Sequence, residues 1–476
     1  MGEPPNRSFN ERRRAVPRAA SVYMRFLYLL LIAVVIVAAA WFLVVHSIAR
    51  DRMGMDLYQY WGVGQVVAAT GGQVRNPYRE QQRFNRVLAQ MAERTDDLPL
   101  ARVAYHRQNL ELQGTPVAYW AFSIYPGNYS TTLSWHYKAQ VVTFSLAVLL
   151  ALVGSGGRIL TAIGVLSVLI LFYEPFYSEI TVGNFNSFLI LCMAASMVFL
   201  GRVPTNADSA SAGWRWASAA MAVLGVAALV KPTVAPMFFA VVACVVARVG
   251  PRAAITYVGL ASLPVLAIAA GAGSYFGTPM IWYDWFSYFG SSNVDMYNIS
   301  FDLGNFSVPL FLANQWGASF GTMAAALLLV VAVSLTLTVT RHASLTVGLR
   351  ASLRDPLVAL AFGAVLFFAI SPLAWVHYHL LLLPPALMLV SQWRVQRTEA
   401  VIALVAIYCA SMTPILLLEL LGVEASQARR LATYGVMFAW PLLWAATLCR
   451  AARCAREAGG EVSVAQVRHA QPLSRG

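Results

Sequence analysis

Charged residues are scarce in this chain of 476 residues, at 12% against 59% hydrophobic residues. A soluble domain carries about a quarter charged residues. A helix that spans a bilayer needs roughly 20 apolar residues, and apolar runs close to that length recur along the whole sequence. The composition therefore excludes a single soluble core and predicts an all-α, polytopic membrane protein.

Three further features are nearly absent. Lys138 and Lys231 are the only lysines among 34 basic residues, so the positive charge comes from arginine. The arginines cluster between apolar runs, as the positive-inside rule predicts for a membrane protein. This placement excludes nucleic acid as a partner. The five cysteines form no C-x-x-C pair, so a disulfide framework or a zinc site is not expected. Neither a Walker A sequence nor a G-x-G-x-x-G turn occurs, so we expect no nucleotide-binding domain.

The apolar runs predict about twelve transmembrane helices. They lie near residues 26–45, 138–153, 158–173, 187–200, 216–230, 233–248, 253–275, 319–340, 356–371, 378–391, 399–419 and 431–449. We expect the first run to be a retained signal anchor. Residues 26–450 then form the membrane domain, residues 1–25 and 451–476 are tails, and residues 46–137 and 276–318 are two long outer loops.

Arginine placement predicts that both termini are cytoplasmic. The short inner connections then carry Arg158, Arg202, Arg215, Arg248, Arg252, Arg341, Arg350, Arg354, Arg394 and Arg397, against Lys231, Arg429 and Arg430 outside. In the first outer loop, Phe84, Val87, Leu88 and Met91 recur at helical spacing, which predicts an amphipathic helix along the membrane surface. The second outer loop is aromatic, as in a membrane belt or a carbohydrate-stacking surface.

The segment "MGMDLYQYWG" places Asp56 among Tyr58, Tyr60 and Trp61, just beyond the first apolar run. A carboxylate within reach of a substrate hydroxyl can act as a general base, and the aromatic side chains suit a sugar. The structural alternatives are a solvated loop acid and the N-cap of a helix that begins at Leu57.

Lys231 lies between two apolar runs, where an ionisable residue indicates a functional site and an anionic lipid phosphate is a natural partner. The alternative is a lysine that extends to the interface. His377 and His379, two residues apart, point to different faces of a helix, so one imidazole is expected to face a cavity.

The segment "EPFYSEITVGNFNSF" supplies Glu179, Asn184 and Asn186, which can hydrogen-bond sugar hydroxyls or bridge helices. We favour the bridging role for Asn186. The acidic residues of the second outer loop are expected to be solvated; they are Asp284, Asp295 and Asp302.

The sequence resembles glycosyltransferase family 87, the polyprenyl-phosphate-sugar-dependent transferases with the C-type glycosyltransferase fold. The resemblance covers residues 50–390 and rests on "DLYQYWGVGQVV", "NPY", "GNFN", "VKPTVAP" and "SPLAWVHYHLLLLPP", in that order. The chain departs from the family at Asn184, where Gln is usual, in the lack of Tyr-Pro-Pro in the first outer loop, and in the extra segment "ARVAYHRQNLELQG".

The resemblance implies transfer of mannose or arabinofuranose from a polyprenyl-phosphate donor to a cell-envelope glycolipid or glycan, at the outer face of the plasma membrane. It implies Asp56 as the base and Lys231, His377 and His379 at the donor phosphate. The expected substrate-binding residues are Tyr58, Tyr60, Trp61, Glu179, Asn184, Asn186 and Trp375. Single displacement predicts inversion of the sugar, and no metal or other cofactor is required.

The competing function is a transporter or flippase for lipid or sugar, which needs polar residues well inside several spans. The transferase hypothesis predicts instead that Asp56, Lys231 and His377 converge on one outward-facing cavity that lipid can reach.

Overall fold

The computed structural model describes residues 53–108, 110, 112–125, 127–204, 210–296, 305–411 and 413–470. Regular structure in these residues is helical, apart from one antiparallel bridge between Asn305 and Trp375. This confirms the all-α prediction. The predicted first span at 26–45, Asp302 and the side chain of Asp295 lie outside the described residues.

Short helices form the segment before the first long apolar helix. Polar side chains begin several of them by accepting a free backbone N–H, as Asp97 does from Leu100 N and Thr115 from Ala118 N. A proline follows Thr115 at the first helical position, where its missing N–H costs nothing. The helices are α1 (Met55–Ala69), α2 (Gln81–Glu93), α3 (Leu98–His106) and α4 (Pro116–Phe122).

Longer apolar helices follow, with short helices between them. The first group is α5 (Tyr129–Gly154), α6 (Ile159–Phe172), α7 (Glu174–Val182), α8 (Asn186–Gly201), α9 (Ala210–Val230), a 3₁₀ turn (Pro232–Val234), α10 (Ala235–Val249) and α11 (Pro251–Tyr275). The second is α12 (Ile281–Met296), α13 (Val308–Trp316), α14 (Phe320–Thr340), α15 (Leu345–Arg354), α16 (Pro356–Ile370), a 3₁₀ helix (Val376–Leu382), α17 (Leu383–Ser391), α18 (Arg397–Cys409), α19 (Thr413–Leu420) and α20 (Ala425–Ala470).

Six helices of the described chain are long and apolar enough to cross a membrane. The number rises to eight if two bent pairs, α6 with α7 at 60° and α15 with α16 at 95°, each count as one span. Helix α8 and the segment Val376–Ser391 are apolar but shorter. The structure therefore supports a multi-pass membrane protein, and it matches the twelve predicted spans only in part.

The amphipathic helix predicted in the first outer loop is present as α2. Phe84 and Leu88 are fully buried on one side. Leu88 packs on Gly62 of α1, where a Cβ atom would lie only 2.9 Å from the Leu88 Cδ1 atom. The apolar face of α2 is thus covered by protein instead of lipid.

Arginines gather at one end of the helix bundle. Arg248, at the end of α10, donates to the carbonyl oxygens of Leu200, of Val203 at 2.8 Å and of Arg354 at 2.6 Å. Arg450 pairs with Asp355 at 2.7 Å in the same region. Lys231 precedes the opposite end of α10, so the arginine-rich end and the candidate site are separated by the length of that helix.

Candidate functional site

Two glycines bring the start of α1 against the junction between α7 and α8. Gly183 ends α7 with φ 71°, and Gly54 precedes α1 with φ 61°. A Cβ atom at Gly183 would lie 3.0 Å from the Gly54 Cα atom and 3.0 Å from the Leu57 Cβ atom. Glycine is therefore needed at position 183 for both its conformation and its size, and the close approach places Asp56 beside Asn184.

We expect Gly183→Ala to destabilise the protein by about 2 kcal/mol or more, because a left-handed residue with a Cβ atom costs roughly 1–2 kcal/mol before any clash. Thermal unfolding in detergent measures the effect. Gly71→Ala is the matched control, since Gly71 has φ 56° and nothing within 4 Å of its added Cβ atom. Equal destabilisation by the two changes would contradict the importance of the close approach.

Lys231 links two asparagines. Its Nζ atom donates to Asn184 Oδ1 at 2.9 Å and to Asn186 Oδ1 at 2.8 Å. It also lies 4.3 Å from the centre of the Tyr378 ring and 5.3 Å from that of Phe185. An ammonium group only donates, so each amide must turn its oxygen to Lys231 and its nitrogen away from it.

The two amide nitrogens donate to two carboxylates. Asn184 Nδ2 donates to Asp56 Oδ2 at 2.7 Å, and Asn186 Nδ2 donates to Glu179 Oε2 at 2.9 Å. Glu179 Oε1 also accepts from the backbone N–H of Ser187 at 2.9 Å. One buried cation thus orients two amides, and each amide orients a carboxylate. The bridging role expected for Asn186 agrees with this geometry.

Asp56 is not a helix cap. Gly54 is the N-cap of α1, and Asp56 lies in the first turn. The Asp56 side chain contacts Asn184 and, through Oδ1, Arg107 Nη2 at 3.5 Å. The helix-cap alternative for Asp56 is therefore wrong, and its contacts with Asn184 and Arg107 do not match a solvated loop acid.

One of the two histidines faces the site. His377 Nε2 lies 3.4 Å from Asn184 Nδ2, and His377 lines the same cavity as Asp56. His379 is fully buried with its ring near Phe306 and Phe368, away from the lining of that cavity. The prediction that His379 lies at the donor phosphate is corrected by this position.

The aromatic residues around Asp56 divide between two faces of α1. Tyr58 and Trp61 are buried against Tyr129 with ring centres 6.0 and 5.0 Å away, so neither is placed to bind a substrate. Tyr60 lines the cavity. Burial, and then the Asp56 carboxylate, raise the pKa of Tyr60 well above its usual value, so its phenol remains a hydrogen-bond donor.

Residues that the sequence did not single out position the site. On α5, His136 Nε2 lies 3.0 Å from the Gly183 carbonyl oxygen and 2.9 Å from that of Asn184. Gln140, one turn further, donates to the same Asn184 oxygen and to the Glu179 carbonyl oxygen. The sequence signal that could have identified these two residues is a histidine and a glutamine four residues apart in an otherwise apolar helix.

The segment that carries Trp375 and His377 is held by Asn305, which precedes α13. Asn305 Nδ2 donates to the Pro372 carbonyl oxygen at 2.9 Å, and Asn305 Oδ1 accepts from the backbone N–H of Ala374 at 2.8 Å. Trp375, predicted from the sequence as a substrate contact, lines the cavity. Glu179 and Asn186 lie behind the lining and contact it through Lys231 and Asn184.

Asp284 is buried, although it was expected to be solvated. It is 6% exposed, and it accepts from Arg79 at 2.6 Å and from Asn76 at 2.7 Å. The "NPY" segment therefore ties the first outer loop to α12, and Asp284 is not a solvated loop acid.

Asp56, Lys231 and His377 line one cavity of about 1230 Å³. Its polar end also contains Tyr60, Arg107 and Asn184. From Lys231 the cavity continues into a region lined by apolar side chains of α10, α14, α15 and α16. We name this region the apolar arm. It is lined by Phe239, Ala240, Ala243, Leu328, Leu353, Phe362, Leu366, Phe367 and Ile370.

The apolar arm is open to the surface of the helix bundle. Phe239 is 66% exposed, Ile370 38% and Leu328 37%, so the arm is not closed off from the surface of the bundle. From Ala235 to Ala243, α10 rises roughly 12 Å, more than a third of the ~30 Å hydrocarbon core of a bilayer. A lipid chain entering from the side would find continuous apolar surface up to Lys231.

Comparison with protein-family models, with curated proteins and with solved structures found no match. The fold and composition define an all-helical protein whose apolar helices suit a membrane. The site adds a carboxylate, a lysine and a histidine on one cavity with an apolar arm.

Proposed function

We propose that the protein is an integral membrane glycosyltransferase with the C-type fold, similar to family 87, that transfers a sugar from a polyprenyl-phosphate donor. The observation that carries the proposal is the shared cavity of Asp56, Lys231 and His377, joined to an apolar arm that reaches the surface of the bundle. The sugar proposed from the resemblance is mannose or arabinofuranose, and the acceptor is a cell-envelope glycolipid or glycan.

The site is proposed to lie at the outer face of the plasma membrane, with both termini cytoplasmic. The arginine-rich end of the bundle, formed by Arg248, Arg354 and Arg450, is opposite to the site, and positive residues favour the cytoplasmic side. The donor's lipid chain would lie in the apolar arm, with its phosphate near Lys231.

The chemistry follows from the two charges. An acceptor hydroxyl oxygen attacks the anomeric carbon of the sugar, and the bond from that carbon to the phosphate oxygen breaks. The lipid phosphate leaves with the electron pair, while Asp56 takes the hydroxyl proton. Attack from the side opposite to the phosphate inverts the anomeric centre.

Lys231 suits a departing phosphate. Two of its three N–H donors bind Asn184 and Asn186, which leaves one for a ligand in the cavity. His377 and the Tyr60 hydroxyl add further polar groups at the same end. A fixed cation in a site shielded from water stabilises developing negative charge more strongly than it would in bulk solvent.

A panel of polyprenyl-phosphate sugars, presented to the purified protein in liposomes with a candidate glycan acceptor, tests the proposal. We expect one sugar donor to be consumed, with free polyprenyl phosphate and an inverted glycoside formed in equal amounts. Movement of an intact donor across the bilayer without cleavage would instead support the transporter and contradict the transferase.

We expect Ala243→Trp to block the apolar arm. A tryptophan at this lining position would obstruct a long polyprenyl chain, so transfer from a long-chain donor should fall while transfer from a short-chain analogue is retained. Leu263→Trp, at a 64% exposed position on α11 that is not part of the cavity lining, is the control. Equal loss with both donor lengths would contradict the assignment of the arm to the lipid.

A further inference from the structure

The extra polar segment of the first outer loop brings an arginine to the candidate base. Arg107 Nη2 lies 3.5 Å from Asp56 Oδ1, its side chain is 23% exposed, and it lines the cavity. We propose that Arg107 is a positioning residue that holds Asp56 toward the acceptor side of the cavity. This inference rests on the proposed role of Asp56 as the base.

The two oxygens of Asp56 have different surroundings. Oδ2 accepts a hydrogen bond of 2.7 Å from Asn184, so it is held by the network of Lys231. Oδ1 has Arg107 at 3.5 Å, longer than the ~2.7–2.9 Å of a charge-assisted hydrogen bond. The guanidinium therefore attracts and orients Oδ1 without saturating it, and Oδ1 is the oxygen left to receive a proton.

Helix α3 holds Arg107 in place directly after its last residue. Asp97 begins the helix, and its carboxylate accepts from Ser130 Oγ at 2.5 Å and from the Ser130 backbone N–H at 2.9 Å. Val103 is fully buried on the inner side of α3. The backbone N–H of Arg107 donates to the Val103 carbonyl oxygen at 2.8 Å, directly after the last helical residue, His106. Both the start and the face of α3 are thus anchored.

Arg107 lies on the side of the cavity formed by the first outer segment. Gln113, Gly114 and Thr115 line the cavity beside it, whereas the apolar arm leaves from Lys231. A polar acceptor would reach Asp56 past Arg107, and a lipid donor would reach it along the arm. Loss of Arg107 should therefore affect turnover and use of the acceptor, but not binding of the donor.

Kinetics of Arg107→Ala in liposomes, with donor and acceptor varied separately, test the inference. We expect kcat to fall roughly 10- to 100-fold, the range for losing a contact to a charged group. The acceptor KM should rise and the donor KM stay unchanged. Arg107→Lys should retain more activity than Arg107→Ala, and added guanidinium ion should partly restore Arg107→Ala. Arg102→Ala, at an exposed position of α3 that is not part of the cavity lining, should match the wild type.

The outcomes separate this inference from the proposed function. Wild-type kcat and acceptor KM in Arg107→Ala, beside an inactive Asp56→Asn, would overturn the inference alone. A rise confined to the donor KM would also overturn it. Full transfer by Asp56→Asn would remove the base and the inference with it. Arg107→Gln, which keeps most of the side-chain stem, provides the same comparison if Arg107→Ala does not fold.

Discussion

Asp56→Asn is expected to abolish sugar transfer while the protein stays folded and inserted. The amide cannot accept the acceptor's proton as a carboxylate does, and a positioned general base contributes roughly 100- to 10,000-fold to rate. The substituted side chain keeps an oxygen that can accept from Asn184, so the local packing is retained. Product formation by purified protein in liposomes, with thermal unfolding measured in parallel, checks both parts.

Asp284→Asn provides the control for this substitution. Asp284 is also buried and hydrogen-bonded, to Arg79 and Asn76, but it is not part of the lining that contains Asp56. We expect Asp284→Asn to cost some stability and to retain transfer. Product formation at the wild-type rate by Asp56→Asn would exclude Asp56 as the base.

Lys231→Met is expected to raise the donor concentration needed for half-maximal transfer by roughly 10- to 100-fold, the range for a lost hydrogen bond to a charged group. The lysine is 8% exposed and holds both Asn184 and Asn186, so its loss also removes the cation shared by Asp56 and Glu179 and leaves Arg107 as the positive charge beside Asp56. Donor titration, together with competition by free polyprenyl phosphate, measures the change.

Lys138→Met is the matched control because Lys138 is the only other lysine in the chain. It is exposed on α5, 4.9 Å from the Trp135 ring, and outside the cavity lining. An unchanged donor response in a folded Lys231→Met protein would refute the phosphate role. If Lys231→Met does not fold, Lys231→Arg, which retains the charge, is titrated with donor instead. A donor KM identical to that of the wild type would then contradict a site built for the lysine geometry.

The sequence was informative where a polar residue interrupts an apolar or aromatic run. Asp56, Lys231 and His377 each stand out in this way, and the structure brings them to one cavity. Their convergence could not be read from local patterns, because it depends on the close approach of Gly54 to Gly183. Arg107 was not predicted because one arginine in a long polar loop carries no sign of its depth or partner.

Helical spacing could have divided the aromatic residues of α1. Positions four residues apart share a face of a helix, and Asp56 and Tyr60 both line the cavity. Tyr58 and Trp61, three residues apart, share the other face and pack on Tyr129. The helical period of about 3.6 residues therefore separates Tyr60, which lines the cavity, from Tyr58 and Trp61, although all three were predicted to bind the sugar.

The burial of Asp284 and the number of membrane-spanning helices could not be predicted without the tertiary structure. Asp284 is buried because Asn76 and Arg79, about 200 residues earlier in the chain, reach it. Several apolar runs form helices too short or too bent to count singly as spans, as α15 and α16 show with their 95° bend. Hydropathy measures composition along the chain and is insensitive to such bends.

A structure of the protein bound to polyprenyl phosphate in a lipid nanodisc tests the central claim most directly. The account predicts the phosphate within hydrogen-bond distance of Lys231 Nζ, the lipid chain along the apolar arm beside Phe239 and Phe362, and Asp56 open to the space next to the phosphate. A phosphate bound elsewhere, with the arm empty or closed, would contradict it.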